Sequence, residues 1–241
     1  SAREFNIRVV NKNDIDSFKV DEIPTIYDDK AATTHRHKLN VYGLLGNQKV
    51  TIPNSIVSVT TSVYGVDVDT VASELNAFYL NASNVDDLNN DVREVKGQVI
   101  VTVDAKNGGT LTQEFTVSNR DPHIATVNLE NDDNATSTKV RDGVLLVTVT
   151  NTGTLDITDL LKVFKAKDQY GKSIDLDHKR APFLTFSNVK NHDNTGTINA
   201  VSGFVGAASV TGLDVRDSFT LTLTTNNGVV TTVKVVVEAK N

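Results

Sequence analysis

The sequence contains no cysteine, methionine or tryptophan, and each absence narrows what the chain can be. Without cysteine it cannot form disulfides, bind a metal through thiolates or use a cysteine nucleophile. Its stability must therefore come from packing and strand pairing. The lack of side chains that oxidise readily fits a protein that is exposed outside a cell.

The sequence also has no cluster of positive charge, because no run of Lys or Arg exceeds two residues, and the net charge is −6. Nucleic acids and anionic membranes are poor partners for such a surface. No apolar run approaches the roughly 20 residues that a membrane-spanning helix needs. The first five residues are not typical of a signal peptide, so we expect the natural chain to continue upstream and to carry any secretion signal there.

Val, Thr, Asn and Asp are abundant. Val and Thr suit the half-buried surface of a strand, whereas Asn, Asp and Gly suit the turns between strands. Apolar and polar residues alternate in several short segments, of which the clearest are Phe5–Val9, Leu39–Tyr42, Val99–Val103, Val144–Val149 and Phe219–Leu223. Alternation with turn residues about every ten positions predicts an all-β fold of the sandwich type.

The chain also repeats itself. Residues 15–20 match 124–129, and residues 39–41 match 164–166. A strand at 101–103 turns at Asn107-Gly108, and a strand at 221–223 turns in the same way at Asn227-Gly228. Asn-Gly is the strongest short signal for a hairpin. We predict two tandem immunoglobulin-like β-sandwiches at residues 12–120 and 121–241, preceded by a closing strand or linker at 1–11 and joined near Pro122. Arrays of this kind usually build length or surface rather than catalysis.

Two segments differ between the repeats. The stretch Asp69–Leu75 resembles a capping box and predicts one helical turn in the first unit. The second unit has extra residues at Thr136–Leu161, which we interpret as an additional strand.

One motif suggests a family. The strand that ends in Asp168-Gln169-Tyr170-Gly171 resembles the Ig-like repeats of surface-layer proteins from Bacillus-type bacteria. The first unit has Tyr42-Gly43-Leu44-Leu45 at the equivalent place and departs from the motif. The resemblance implies a secreted protein of the cell surface and cell wall that assembles with itself and often needs calcium. Its partners would be neighbouring copies and adjacent domains of its own chain.

Catalytic motifs are not found in the sequence. There is no Gly-x-Ser-x-Gly elbow and no glycine loop that could hold a phosphate. His35 and His37 are spaced as half of a metal site, but the interleaved Arg36 and Lys38 favour a solvated strand face. We therefore predict that the protein is not an enzyme.

Calcium is the one cofactor that the sequence suggests, because loops rich in Asp and Asn can supply six to eight oxygen ligands. At the two domain junctions we name Asp14, Asp16 and Asp121, with Asp67 and Asp69 as neighbouring carboxylates, as candidate ligands. The alternative interpretation is that these residues only mark turns.

The predicted function is a structural component of a self-assembling surface layer. Two alternatives stay open, which are an adhesin stalk or ligand-binding module, and a spacer of an extracellular carbohydrate-active enzyme. Clustered aromatic residues in the loops would favour a binding module, but aromatics make up only 6% of the chain.

Overall fold

The structure is a computed structural model that describes residues 9–29, 35–71, 73–176 and 182–239. The chain divides into two compact units, Ser1–Asp121 and Pro122–Asn241. Each unit has its own buried apolar cluster between its sheets. Both units are immunoglobulin-like β-sandwiches, so the predicted all-β fold class is confirmed.

The described residues of the first unit form ten strands. They are β1 (Ser17–Val20), β2 (Ile26–Tyr27), β3 (His37–Leu39), β4 (Val41–Leu45), β5 (Gln48–Thr51), β6 (Val57–Thr61), β7 (Val66–Thr70), β8 (Phe78–Ala82), β9 (Glu94–Val103) and β10 (Gly109–Ser118). Short 3-10 turns lie at Lys12–Asp14 and Asn54–Ile56.

These strands pair in three sheets, with the orders β1-β4-β5, β2-β10-β9-β6 and β3-β8-β7. The β9–β10 hairpin is the longest pairing, and ten consecutive residue pairs join its strands. Alternate residues of β9 point to opposite faces, so Val99, Val101 and Val103 are buried while Ile100 and Thr102 are exposed. This alternation is what places one face of the sheet on the core.

The second unit also forms ten strands within its described part, together with one short helix. They are β11 (Ile124–Leu129), β12 (Thr138–Arg141), β13 (Val144–Val147), β14 (Phe164–Asp168), β15 (Phe183–Lys190), β16 (Asn199–Val201), β17 (Gly203–Phe204), β18 (Ser209–Thr211), β19 (Ser218–Thr224) and β20 (Val230–Val237), with helix α1 at Ile157–Leu161.

One sheet dominates this unit, with the order β12-β13-β20-β19-β15-β17. The smaller sheets are β11-β14 and β16-β18. Strand β13 runs parallel to β20, and the other pairings of the large sheet are antiparallel. Its inner face carries fully buried residues such as Leu184, Leu221 and Val235.

Several sequence-based predictions fail locally. Residues 69–75 are not helical at the described positions, because Asp69 and Thr70 continue strand β7 and pair with β8. Leu39–Tyr42 is not one strand, since Asn40 separates β3 from β4. The segment Phe5–Val9 lies outside the described residues except for Val9.

The extra segment of the second unit contains strands β12 and β13 and also helix α1, which was not predicted. Asp156 caps this helix, because its side chain accepts a hydrogen bond from the backbone N–H of Asp159. Leu160 is fully buried and anchors the helix on the core. Among the residues that the structure describes, no helix is long and apolar enough to span a membrane.

Candidate functional site

The first pair of predicted calcium ligands lies just before strand β1. Asp14 ends the 3-10 turn at Lys12–Asp14, and the residue is exposed. Asp16 is exposed too, and its Oδ2 accepts a hydrogen bond from the N–H of Gly46 at 2.6 Å. One carboxylate oxygen of Asp16 therefore already holds the β4–β5 turn.

Asp67 and Asp69 lie in strand β7 and not in a loop as predicted. They are two residues apart in a strand, so they share one face of the sheet. Asp67 is opposite Asn81 and Asp69 is opposite Tyr79 on strand β8. They could supply two carboxylates to one ion, but nothing in strand geometry adds a third.

Asp121 lies at the other end of the first unit. The tip of the β9–β10 hairpin is beside Asp14, because the Oδ1 of Asn13 accepts from the N–H of Lys106 at 3.0 Å. Asp121 follows the far end of β10 at Ser118. A ten-residue strand spans roughly 30 Å, so these carboxylates cannot share an ion. In the described part of the chain, no three His, Asp or Glu side chains come close enough to hold a metal.

The buried carboxylates have a different role, which the sequence did not indicate. Asp28 is 3% exposed, and its two oxygens accept from the N–H groups of Asn84 at 2.8 Å and Val85 at 3.2 Å. Its own N–H donates to the carbonyl of Ser118 at 2.8 Å. One residue thus joins the end of β2 to the loop after β8 and to the end of β10.

Asp159 fixes the loop before β12 in the second unit. Its oxygens accept from the N–H groups of Thr136 at 2.9 Å and Ser137 at 2.7 Å, and from the Ser137 hydroxyl at 2.7 Å. Lys162 Nζ is 3.0 Å from Asp159 Oδ1. Burial of this carboxyl raises its pKa, but the hydrogen bonds from Ser137, Thr136 and Lys162 outweigh burial and hold the pKa well below its usual range.

Asp168 and Asp217 complete the set of buried carboxylates. Asp168 accepts from the N–H groups of Tyr170 and Lys172, both at 2.9 Å, and so closes the turn of the Asp-Gln-Tyr-Gly motif. Asp217 accepts from the N–H groups of His192 and Asp214, both at 2.7 Å. The sequence signal for such residues is only an Asp beside a strand, which is also the signal for an ordinary turn.

The histidine pair does not form a metal site in the described residues. His37 is in strand β3 opposite Leu80, whereas His35 precedes the strand. The Nδ1 of His35 lies 3.7 Å from Asp29 Oδ2, and its ring packs edge-on against Tyr27 at 4.8 Å. This arrangement can orient the imidazole, but it supplies only one nitrogen and one carboxylate.

One further contact recurs within each unit, between its Asn-Gly hairpin and a residue at or just before the start of its first strand. The side-chain amide of Asn107 donates to the carbonyl of Ile15 at 2.8 Å. In the second unit Asn227 donates to the carbonyl of Ile124 at 2.6 Å. Ile124 begins β11 and Ile15 lies two residues before β1, and both are buried, so each hairpin holds the chain where it enters its first strand.

No protein-family model matches the chain, and no curated protein matches its sequence. Solved structures similar to it include domains 6-7 of surface layer protein SbsC, with 14% identity and a TM-score of 0.30 over 94% of this chain and 100% of that one. Domains 4-9 of SbsC match with 15% identity and a TM-score of 0.32, over 96% of this chain and 36% of that one. Protocadherin gamma B2 extracellular cadherin domains 3-6 match with 12% identity and a TM-score of 0.32, over 95% of this chain and 51% of that one. Likenesses this loose establish neither a family nor a function.

Proposed function

We propose that the chain is a structural segment of a secreted surface assembly of the surface-layer type, and that it is not an enzyme. The observation that carries the proposal is the hairpin contact that recurs in both units, from Asn107 to Ile15 and from Asn227 to Ile124. Each unit makes the same internal hydrogen bond between its last hairpin and its first strand region. This is expected of a structural module that is repeated along a chain.

The use of the carboxylates supports the same proposal. A carboxyl group that acts as a general acid or base needs a raised pKa and a position in a cleft. Burial raises the pKa of a carboxyl only when few hydrogen bonds stabilise its charged form. Asp159 is buried, but its pKa is lowered by hydrogen bonds that hold a loop. Asp28, Asp168 and Asp217 likewise accept backbone N–H groups. These side chains make the loops stiff, which suits a protein that bears load or spaces other domains.

The surface-layer type rests on the Asp168-Gln169-Tyr170-Gly171 motif. Asp168 and Tyr170 are both buried in the second unit, with 4% and 6% exposure. The motif therefore belongs to the framework of the repeat and not to a ligand-binding surface.

Calcium is part of the proposal as a stabilising ion. The pair Asp14 and Asp16 offers two exposed carboxylates at one end of the first unit, Asp67 and Asp69 offer two more on strand β7, and Asp121 is exposed after β10. Two carboxylates leave the other ligand positions to backbone carbonyls and water, which calcium accepts in weak sites. We therefore expect any such binding in the millimolar range that is typical of extracellular modules.

The proposal is tested by the self-association of the chain. Sedimentation velocity over a wide range of concentrations, followed by electron microscopy of material adsorbed on a support, should show reversible association into ordered rows or sheets. A chain that stays monomeric at every concentration and on the support would contradict a lattice role. It would then favour a spacer or an adhesin stalk.

A further inference from the structure

The six-stranded sheet of the second unit has an unusual charge pattern for this chain. The chain contains 30 Asp and Glu residues, but none of them lies in strands β12, β13, β15, β17, β19 or β20. These strands carry four basic residues, Lys139, Arg141, Lys190 and Lys234. The sheet is therefore positive within a chain whose net charge is −6.

The strand register places all four basic residues on the outer face. Lys234 lies between Val233 and Val235, which are buried on the inner face, so its own side chain points outward. Lys190 pairs with Ser218, the neighbour of buried Phe219. Two cross-strand rows result, namely Arg141-Val144-Lys234-Thr220 and Lys139-Leu146-Val236-Ser218-Lys190. We call this outer face of the six-stranded sheet the basic face.

Three of the four cations of the basic face form no ion pair with any described residue, and Glu238, directly after β20, lines the same surface depression as Lys139 and Arg141. In the part of the chain that the structure describes, Lys139, Lys190 and Lys234 have no carboxylate within 4.0 Å. Arg141 is 3.9 Å from Asp142 in the turn at the margin of the sheet, and both side chains are exposed. Several cationic side chains that lie together without ion pairs are available to bind a negatively charged partner.

The other end of the basic face is apolar. Phe204 pairs with Phe183, Phe183 with Thr224, and Thr224 with Val230 across four strands. Phe204 is 59% exposed, Phe183 37% and Val230 58%. The two phenylalanine rings pack edge to face with their centroids 5.2 Å apart. Aromatic side chains held rigidly at the surface are the usual anchors of protein interfaces.

The complementary charge is found in the first unit. It contains 12 Lys and Arg against 17 Asp and Glu, a net charge of −5, whereas the second unit contains 12 against 13, a net charge of −1. The segment between strands β8 and β9 carries three exposed carboxylates, those of Asp86, Asp87 and Asp91. The negative charge of the chain is thus concentrated in one unit and the basic face is in the other.

We propose that the basic face of the second unit docks on the acidic first unit of another copy of the chain. The apolar row supplies the contact that excludes water, and the four basic residues select an acidic partner and set its orientation. This inference rests on the proposed function, because it names the contact through which copies would assemble. Two different surfaces meet in such a contact, so it can continue from copy to copy as an open array.

A charge-swap experiment tests the inference. One variant carries Lys190→Glu and Lys234→Glu, and a second carries Asp86→Lys and Asp87→Lys. Each alone should weaken self-association in sedimentation velocity by about tenfold or more, since the first cancels the net positive charge of the basic face and the second places lysines opposite it. An equimolar mixture should regain most of the wild-type association, because every contact between the two different variants again joins surfaces of opposite charge.

A matched control carries the same change of net charge elsewhere. Lys19→Glu with Lys167→Glu replaces two exposed lysines that are outside the basic face. It should associate within about threefold of wild type, because distant surface charges are screened at physiological salt. Phe183→Ser with Phe204→Ser keeps every charge and should also weaken association. Thermal melts of each variant confirm that the fold is intact.

The outcomes separate this inference from the proposed function. If wild type associates and the charge reversals do not weaken it, the basic face is not the contact, although the chain still assembles. If the reversals weaken association but the mixture recovers nothing, the acidic partner is not the first unit. If wild type never associates, both the lattice role and this contact are wrong.

Discussion

Asn227 and Ile124 are 103 residues apart, yet the Asn227 amide donates to the Ile124 carbonyl at 2.6 Å. Asn107 and Ile15 make the equivalent contact across 92 residues. In both units the hairpin between the last two strands thus holds the chain where it enters the first strand. A unit closed in this way does not need a neighbour to keep its terminal strand in place, which is useful in an array.

We expect Asn227→Ala to destabilise the second unit by about 1 kcal/mol, the usual net value of one hydrogen bond. Asn107→Ala should do the same to the first unit. Calorimetry that resolves the two unfolding transitions should show each substitution lowering only one of them. Asn128→Ala is the control, because Asn128 is exposed on strand β11 and its side chain has no hydrogen bond in the described part. A loss with Asn128→Ala equal to that with Asn227→Ala would mean that the contact is not stabilising.

The hairpins could be predicted because their signals are local. Asn-Gly at Asn107 and at Asn227 lies between strongly alternating strands, and each pair lies in the connection of an antiparallel hairpin. The helical turn predicted at Asp69–Leu75 failed because pairing of β7 with β8 overrode a weak capping pattern. Helix α1 was missed because it has only five residues, too few for a helical period to appear.

The interaction surface could not be predicted for a different reason. The basic face combines Lys139, Lys190 and Lys234 from strands that are distant in sequence and joined only through the sheet. Each lysine alone resembles an ordinary exposed residue. The buried Asp28 and Asp159 were missed likewise, since a turn Asp looks the same in sequence whether its carboxylate faces solvent or the backbone.

Stability of the second unit should depend on pH through Asp159. Although burial raises the pKa of this carboxyl, its hydrogen bonds lower the folded-state pKa below the unfolded value of about 3.9. Its contribution is therefore present above about pH 4 and is lost as the pH falls further. Asp159→Asn should reduce this acid dependence, since Asp132 and Asp193 of the same unit also have pKa values held below their usual range by hydrogen bonds, and should cost about 1–3 kcal/mol at neutral pH. Urea unfolding from pH 7 to pH 2 measures both effects.

Asp142→Asn is the control for that series. Asp142 is exposed in the turn between β12 and β13, with its side chain 95% accessible. The substitution should leave both the stability and its pH dependence as they are in wild type. If the acid dependence persists in full in Asp159→Asn, another carboxylate is responsible for it.

Thr138→Val should stabilise the second unit. Thr138 is 3% exposed, and in the described part its hydroxyl has no hydrogen-bond partner. Burying an unpaired hydroxyl is costly, so replacing it with a methyl group of similar shape should gain about 1 kcal/mol. Thr138→Ala removes the methyl group as well and should destabilise. If Thr138→Val and Thr138→Ala lower the melting temperature equally, the hydroxyl has a partner in solution.

Calcium should raise the melting temperature of the first unit, and a chelator should reverse the effect. A ligand that binds only the folded state stabilises it by about 1.4 kcal/mol at ten times its Kd, so a millimolar site responds at roughly 10 mM calcium. Asp14→Asn with Asp16→Asn should reduce the response, and the amide oxygen introduced at position 16 can still accept from the N–H of Gly46. Glu114→Gln, on the exposed face of β10, should respond as wild type does. Identical calorimetric melts with calcium and with chelator would make Asp14 and Asp16 ordinary turn residues.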